Sequence, residues 1–203
     1  MKEIIENHAR FEARKALYVK YGFDPERERD SIIEKASPIS GDILEAGTGK
    51  GYFTLALAQR GFHFTAFDLS PAELKCAQPN LMYYGREEQV RFEVADAESL
   101  PYGDGRFDFI FSVNMIHHLS TLEKVVSELI RVLAPAGKLV ISDLNAQGLL
   151  MMDKIHSLNG RGHESGPCTV PDVAKSLDER GFEVNLYHGA NHDTLVGSRR
   201  ISS

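Results

Sequence analysis

Residues 42–52 read Asp42-Ile43-Leu44-Glu45-Ala46-Gly47-Thr48-Gly49-Lys50-Gly51-Tyr52, a short apolar run that ends in an acid and a glycine-rich turn. After the turn, apolar residues follow from Phe53 to Ala58 in a pattern that suits a helix packed on a sheet. The stretch therefore predicts a strand, a turn and a helix. Glycine lets the backbone turn sharply and lets a ligand approach closely. The free N–H groups and positive dipole end of the helix would face that ligand.

The spacing of the glycines separates two kinds of site. A dinucleotide site uses G-x-G-x-x-G after a strand. This chain reads E-x-G-x-G-x-G, with Tyr52 where the last glycine of that fingerprint would stand. The pattern resembles the cofactor motif of the class I S-adenosylmethionine-dependent methyltransferases, which implies that Glu45 places the methionine end of the cofactor. A glycine-rich turn without a ligand stays open as an alternative. The turn residues that would admit the cofactor are Gly47, Thr48, Gly49 and Gly51.

Length, charge and cysteine content bound the class of protein. At 203 residues the chain fits one domain. The net charge is −6 and no long Lys/Arg run occurs, which disfavours a nucleic-acid partner. Cys76 and Cys168 lie far apart without metal-type spacing, so we expect reduced thiols and no metal site. The N-terminus is too charged for a signal peptide and no apolar run could span a membrane, so we expect a cytoplasmic protein without a membrane partner.

The order of the predicted elements indicates an α/β fold. Strand and helix patterns alternate five times, which is typical of a parallel sheet with helices on both faces. A turn at residues 189–191 joins the last two strand patterns and is short enough to permit only an antiparallel hairpin. We therefore predict a Rossmann-like three-layer sandwich, with a mostly parallel seven-stranded sheet closed by an antiparallel C-terminal hairpin. The strand patterns cover residues 43–46, 62–67, 90–95, 107–113, 138–142, 182–187 and 193–200, and helix patterns include 2–21, 25–36, 50–60 and 169–180.

Two further helix starts carry capping signals. Residues 70–73 read Ser-Pro-Ala-Glu and residues 120–123 read Ser-Thr-Leu-Glu, and both patterns predict a capping box. Pro135 and Gly137 are expected to end the second of these helices before the fifth strand.

We expect one domain over residues 1–203, with three parts. Residues 1–40 would form an N-terminal helical cap, and residues 41–143 the cofactor-binding core. Residues 144–203 would form an acceptor-side loop and the C-terminal hairpin. Within them, residues 145–168 mix glycines, polar residues and a few large apolar ones, which predicts a loop with some helix. Together with the N-terminal helix, this segment is expected to form a lid over the acceptor site.

Acidic and polar residues stand at the predicted strand ends, where ligands bind in open α/β sheets. Asp68 lies about 20 residues past the first glycine of the turn, where an acid can hydrogen-bond ribose hydroxyls. The family resemblance implies that Leu69 packs on adenine, that Asp96 meets its exocyclic amine and that the Ala97 N–H meets a ring nitrogen. Asn114 ends the fourth strand and is a further candidate contact. Two alternatives stay open: that Asp68 serves only to precede the N-cap residue Ser70, and that Asp96 is a plain turn residue.

Three more runs resemble the small-molecule methyltransferases of the quinone-biosynthesis type. They are residues 101–108, 114–119 and 131–141, and the resemblance extends over residues 40–145. The family more often has glycine where Ala136 stands, a departure that touches a turn. Methyltransferases that act on nucleic-acid amines usually carry a Pro-Pro-aromatic motif after the fourth strand. This chain has no proline there, which disfavours such an acceptor.

His117 and His118 are candidate catalytic bases, because a histidine can take a proton near neutral pH. Methyl transfer from a sulfonium needs no acid for its leaving group, so a base matters only when the acceptor carries a proton that must leave. Packing and loop anchoring are the alternative roles. The other histidines of the second half of the chain are interpreted as surface or loop residues: His156, His163, His188 and His192.

The sequence therefore predicts S-adenosylmethionine-dependent methyl transfer to a small-molecule acceptor. A non-catalytic S-adenosylmethionine-binding module, and a protein or RNA acceptor, stay open. An NAD-dependent oxidoreductase is a third alternative, which the position of the third glycine disfavours. Neither the acceptor nor the oligomeric state follows from the sequence. Candidate acceptor contacts, with ordinary packing as the alternative, are Tyr18, Tyr21 and Met151 or Met152.

Overall fold

The computed structural model describes residues 1–158 and 165–200, and these residues form a sheet of seven strands with helices on both faces. The strands are β1 Ile43–Ala46, β2 Phe64–Asp68, β3 Val90–Val94, β4 Phe107–Val113, β5 Leu133–Leu144, β6 Phe182–His188 and β7 His192–Arg199. The helices are α1 Lys2–Lys20, α2 Pro25–Ala36, α3 Tyr52–Gln59, α4 Pro71–Tyr83, α5 Glu123–Val132, α6 Ala146–Leu158 and α7 Val170–Glu179. The strand order is β3-β2-β1-β4-β5-β7-β6. β1 to β5 pair in parallel, and β7 runs antiparallel to both β5 and β6, which confirms the predicted fold class.

β1 lies near the centre of the sheet, and all of its residues are buried. Its register places Glu45 beside Ala66 of β2 and Phe111 of β4. The order of the strands reverses at β1, because the chain first builds outward through β2 and β3 and then returns to add β4 on the other side. In open α/β sheets ligands bind beyond the carboxyl ends of the strands at such a reversal. The end of β1 and the glycine-rich turn therefore face the expected crevice.

Two buried apolar clusters hold the helices on the sheet. One lies under α5 and α7 and contains Leu129, and the other lies under α2 and α3 and contains Ile32 and Leu57. All three side chains are fully buried, and each such burial contributes about 1.5–3 kcal/mol. α1 packs along α4, where Asn7 Nδ2 donates to Asn80 Oδ1 at 2.9 Å. The glycine-rich turn is thus carried between a buried strand and a firmly packed helix.

The two predicted capping signals have different outcomes. The Ser70 hydroxyl accepts a hydrogen bond from the Glu73 N–H at 3.4 Å and caps α4, but the Ser70 N–H donates to Asp68 and not to Glu73, so only half of the predicted capping box forms. The second prediction is wrong: α5 begins at Glu123, its N-cap position is Leu122, and no described side chain caps it. Leu122 instead packs against the apolar cluster under α5, so burial of this side chain replaces the capping interaction.

β5 is longer than the predicted strand over residues 138–142, because it already begins at Leu133. Pro135 and Gly137 lie inside β5 and do not form the break that was expected between helix and strand. Leu133 pairs with Phe107, and the register then shifts before regular pairing resumes. A proline is tolerated at such an irregularity, where the ladder of hydrogen bonds is already interrupted.

The segment predicted as a loop with some helix is mostly helix where it is described. α6 covers Ala146–Leu158, and its first turn is capped by Asn145, whose Oδ1 accepts from the Gly148 N–H at 3.0 Å. A Cβ at Gly148 would lie 2.1 Å from the Asn191 carbonyl oxygen, so this glycine allows close packing on the C-terminal hairpin. Residues 159–164 of the predicted lid lie outside the described residues.

Candidate functional site

A cavity of about 830 Å³ lies at the carboxyl ends of the central strands. Known ligand pockets are on the order of 300–1,000 Å³. The structure brings almost all predicted site residues to this one cavity, and the exception is Gly51. Further lining residues come from α2, α6 and β7. The predicted residues in the wall are Glu45, Gly47, Thr48, Gly49, Asp68, Leu69, Asp96, Ala97, Asn114, His117 and His118.

Gly49 and Gly51 both have positive φ, 51° and 79°, but they lie in different surroundings. A Cβ at Gly49 would meet no described atom within 4 Å, because this residue faces the cavity. A Cβ at Gly51 would lie 2.8 Å from the Ala77 Cβ, which belongs to α4. Gly51 was predicted to admit the cofactor, but it is needed for the close approach of α3 and α4.

Asp68 links the end of β2 to the glycine-rich turn. Its Oδ2 accepts from the Gly49 N–H at 2.7 Å and its Oδ1 accepts from the Ser70 N–H at 2.8 Å. A carboxylate has about four acceptor sites, so both oxygens keep capacity for ligand hydroxyls. The neighbouring Leu69 exposes 66% of its surface in the cavity wall. A large apolar side chain beside an acid suits a ligand with a flat apolar face and hydroxyl groups.

Asp96 and Ala97 form the third strand-end contact with the cavity. The Asp96 Oδ1 accepts from the Glu98 N–H at 2.9 Å, and its backbone forms an isolated bridge with Ser99. Asp96 is therefore a turn residue, as the alternative interpretation held, and it also lines the cavity. Ala97 packs against the apolar cluster under α5, which fixes the position of this turn.

Glu45 is a buried carboxyl group with an unsatisfied atom. It exposes 2% of its surface, and its Oε2 has no hydrogen-bond partner among the described residues. Burial raises the pKa of Glu45 to about 8, and the negative charge of Asp68 adds to the effect. Buried polar atoms almost always find a partner. An orphan oxygen in the wall of a cavity indicates a donor or cation that a ligand would supply.

His117 and Asp143 form a buried pair at the ends of β4 and β5. The His117 Nδ1 donates to the Asp143 Oδ1, and the His117 backbone N–H donates to the Asp143 Oδ2 at 3.0 Å. His117 and Asp143 expose only 4% and 1% of their surface. A proton on Nδ1 leaves the lone pair of the neutral ring on Nε2. His118 is exposed, with its ring centroid 3.9 Å from that of His117.

His192 was interpreted as a surface or loop residue, and this is wrong. It exposes 1% of its surface and stacks on Phe23, with ring centroids 5.1 Å apart. Its Nε2 donates to the Asn114 Oδ1 at 2.8 Å, while its Nδ1 has no hydrogen-bond partner among the described residues. Burial lowers the pKa of His192 to about 4, so the ring is neutral at physiological pH. It supplies an unsatisfied acceptor atom next to the cavity that it lines.

The remaining histidines divide between surface and site. His188 is exposed as expected, whereas His156 of α6 lines the cavity. His163 lies outside the described residues. Among the acceptor candidates, Tyr18 and Met152 line the cavity. The cavity wall does not include Tyr21 or Met151 among the described residues.

The cavity wall is rich in acids. Six of its described residues carry carboxyl groups, and two, Lys50 and Arg29, carry a fixed positive charge. Lys50 Nζ lies 3.3 Å from Glu73 Oε2 and is neutralised by it. The excess of acids favours a ligand with a positive charge. The acidic lining residues are Glu28, Glu45, Asp68, Glu73, Asp96 and Glu98.

Two residues of the cavity wall, His192 and Arg29, were missed from the sequence. The sequence places Asp143 at the end of a predicted strand, like the predicted cofactor acids, but it does not reveal the pairing of Asp143 with His117. His192 and Arg29 carry no such signal, since only the packing of β7 and α2 brings them to the cavity.

Comparison with known proteins assigns this architecture to a family. Residues 44–141 match the family described as "Methyltransferase domain". Norajmaline N-methyltransferase of Rauvolfia serpentina is 39% identical over 112 residues, which are 55% of this chain and 38% of that protein. Methyltransferase GfsG of Streptomyces halstedii is 32% identical over 172 residues, which are 84% of this chain and 59% of that protein. The chain thus spans between two fifths and three fifths of the length of these relatives.

A solved structure shows the same fold. The crystal structure of a SAM-dependent methyltransferase from Aquifex aeolicus has a TM-score of 0.67 and 20% sequence identity, and the match covers 93% of this chain and 96% of that one.

Among residues 1–158 and 165–200, the helices are too short or too polar to cross a membrane. The sheet and its ligand crevice belong to the class I S-adenosylmethionine-dependent methyltransferase family, whose cofactor is S-adenosylmethionine.

Proposed function

We propose that this chain transfers a methyl group from S-adenosylmethionine to a small-molecule acceptor that carries a proton on the accepting atom. The observation that carries the proposal is the buried His117–Asp143 pair, whose His117 lines the same cavity as Glu45 and Asp68. A binding module would have no need of an oriented histidine at this position. The histidine and the predicted cofactor residues line one cavity, as a transfer reaction requires.

The residues of the cavity wall match the chemical groups of S-adenosylmethionine. The open space at Gly49 gives room for close approach, and the orphan Oε2 of Glu45 suits a positively charged or hydrogen-bond-donating group. Asp68 retains acceptor capacity for ribose hydroxyls. The acidic lining complements the positive charge of the sulfonium and ammonium groups. When bound, the cofactor supplies a methyl group activated by a positively charged sulfur.

In this proposal His117 accepts the proton of the acceptor on Nε2. Asp143 holds the ring through Nδ1 and stabilises the imidazolium ion that forms, as a carboxylate does for a catalytic histidine. The backbone contact between the same two residues fixes the ring further. Positioned proton transfer of this kind contributes about 10²–10⁴-fold. His118 is exposed, and we assign it no part in the proton transfer.

We propose that the chain is one domain with the three parts expected from the sequence. The helical cap over residues 1–40 contributes Tyr18 and Phe23 to the cavity, and the acceptor side over residues 144–203 contributes Met152. The Gly166 N–H donates to the His117 carbonyl at 2.6 Å, which holds Gly166 against the turn that carries His117. These contacts support a cover over the acceptor end of the cavity.

A small acceptor is favoured over a macromolecule. The acidic lining of the cavity and the net charge of −6 oppose a nucleic acid. Norajmaline N-methyltransferase is named for the methylation of a nitrogen atom of norajmaline, and nitrogen is one of the atoms that can carry a proton to be removed.

Turnover tests the proposal. The protein is incubated with S-adenosylmethionine and a metabolite extract, and the formation of S-adenosylhomocysteine is followed by mass spectrometry. We expect product above the level of a His117→Gln control that binds the cofactor normally. Cofactor binding without S-adenosylhomocysteine formation in any extract fraction would support the binding-module alternative instead.

A further inference from the structure

Arg29 is a cation of the cavity wall that lacks a counter-ion. It belongs to α2, and its guanidinium carbon lies 4.8 Å from the centroid of the Tyr52 ring. Within the described part of the chain, no carboxylate lies within ion-pair distance of Arg29, whereas Arg131 pairs with Glu128 at 2.8 Å. Arg29 is partly buried and lines the cavity. A guanidinium in this setting has donors to offer a ligand.

The acids nearest to Arg29 are engaged by other cations. Lys15 Nζ lies 2.8 Å from an oxygen of Glu12 and 2.8 Å from one of Glu26. Asp30, next to Arg29 in α2, pairs with Arg60. These groups share a smaller cavity of about 310 Å³ with Arg29, and their pairing leaves its charge without a partner of its own.

Burial makes this unpaired charge costly. It lowers the pKa of the Arg29 guanidinium to about 10, although the attraction of Tyr52, Glu26, Tyr18 and Asp24 opposes the shift. The group therefore stays protonated at neutral pH. A buried charge without a partner destabilises the folded state, and stacking on an aromatic ring offsets part of that cost. A bound anion would supply the missing partner.

The position of Arg29 indicates where that anion would lie. Tyr52, the ring under Arg29, is the first residue of α3 and directly follows the glycine-rich turn. Glu45 stands at the other end of the same turn, and both Glu45 and Arg29 line the cavity. Glu45 lies at one end of the turn, and Arg29 lies over Tyr52 at the other end. The Glu45 carboxyl could meet the ammonium of an amino acid, and the Arg29 guanidinium could meet its carboxylate.

We propose that Arg29 forms a carboxylate-binding subsite of the main cavity. If the proposed methyl transfer is correct, the amino-acid end of the cofactor is one source of this carboxylate, and an acidic acceptor is the other. Arg29 would hold it through charge-assisted, bidentate hydrogen bonds. Tyr52 holds the guanidinium by a cation–π contact, and the Tyr52 hydroxyl accepts from Arg14 Nε at 3.0 Å.

Calorimetry on the full chain separates the two sources. The probes are S-adenosylhomocysteine, which carries the carboxylate, and 5′-methylthioadenosine, which lacks the amino-acid end. If the cofactor supplies the carboxylate, Arg29→Met should weaken S-adenosylhomocysteine roughly 10- to 100-fold and change 5′-methylthioadenosine less than about twofold. Arg27→Met is the matched control, because Arg27 is an exposed residue of α2 outside the cavity wall.

A second titration tests the acceptor as the source. Benzoate is added to the protein saturated with S-adenosylhomocysteine, and binding that is lost in Arg29→Met alone assigns the subsite to an acceptor carboxylate. Equal weakening of both nucleosides, or no change with any of the three probes, overturns the subsite. Arg29→Gln replaces Arg29→Met if circular dichroism shows that the latter does not fold. A wild-type protein that binds neither nucleoside contradicts the proposed function as well, whereas binding without turnover contradicts that function alone.

Discussion

The Gly49 N–H donates to the Asp68 Oδ2 at 2.7 Å, so the glycine-rich turn and the acid at the end of β2 form one structural unit. Asp68 belongs to β2 and Gly49 to the turn after β1, so this hydrogen bond holds the turn against the end of the neighbouring strand. A ligand that binds the remaining acceptor sites of Asp68 therefore meets a turn that is already ordered. Preorganisation of this kind lowers the cost of binding.

Replacing Asp68 tests the contact with the ribose hydroxyls. We expect Asp68→Ala to weaken binding of S-adenosylhomocysteine by about 1.5–3 kcal/mol, the value of hydrogen bonds to a charged group. Asp104→Ala is the control, because Asp104 pairs with Arg131 on the surface and should leave the affinity unchanged. Equal calorimetric affinities of wild type and Asp68→Ala would remove Asp68 from the site.

Replacing Gly49 tests the open space in the turn. A side chain there would project into the cavity, so Gly49→Val should abolish cofactor binding. Gly61→Val is a matched control: Gly61 also has positive φ and a Cβ there would meet no described atom within 4 Å, but it lies outside the cavity wall as described. Both variants should lose about 1–2 kcal/mol of stability from backbone strain. Loss of binding in both would show that strain, and not steric exclusion, is responsible.

The His117–Asp143 pair predicts a kinetic effect without a binding effect. His117→Gln should lower kcat by about 10²–10⁴-fold, because the proton acceptor is lost. Asp143→Asn should also lower it, since the ring loses its ionised partner. Affinity for S-adenosylhomocysteine should change little in either variant. His118→Gln is the control and should keep the rate within a few-fold of wild type. A His117→Gln enzyme with wild-type kcat would refute the assignment.

The buried Glu45 predicts how stability depends on pH. Its pKa is about 8 in the folded protein, against an ordinary value of 4.5. Between these values the folded state binds the extra proton, so stability falls as the pH rises, by up to about 1.4 kcal/mol per unit, and levels off above pH 8. Glu45→Gln cannot take up this proton, so the variant does not lose stability with rising pH in this way. Without cofactor, its melting temperature should therefore rise relative to wild type between pH 5 and pH 9, by about 2–4 °C for each kcal/mol. Parallel curves for the two proteins would rule out the raised pKa.

Local pattern was sufficient for the parts of the fold that depend on neighbouring residues. The turn between Glu45 and Tyr52 could be predicted because glycine spacing and strand ends are local signals, and parallel strands bring their ends together. α6 was predicted only as a loop with some helix, because Gly148 weakens its pattern, and only the contact with Asn191 explains that glycine.

The rest of the site depends on packing between distant segments. His192 follows a turn that reads as surface, and its burial comes from stacking on Phe23 of the N-terminal cap. Asp143 pairs with His117 across 26 residues, so neither residue marks the other in the sequence. Arg29 reaches the cavity only because α2 packs beside the start of α3.

Transfer of a labelled methyl group tests the central claim most directly. The protein is incubated with S-adenosylmethionine that carries a trideuterated methyl group, together with a metabolite extract, and small molecules are compared by mass spectrometry with a reaction that uses unlabelled cofactor. We expect at least one small molecule to gain the intact trideuterated methyl group, in amounts that match the S-adenosylhomocysteine formed and that fall in His117→Gln but not in His118→Gln. Cofactor binding with no labelled small molecule from any extract would contradict methyl transfer by this site.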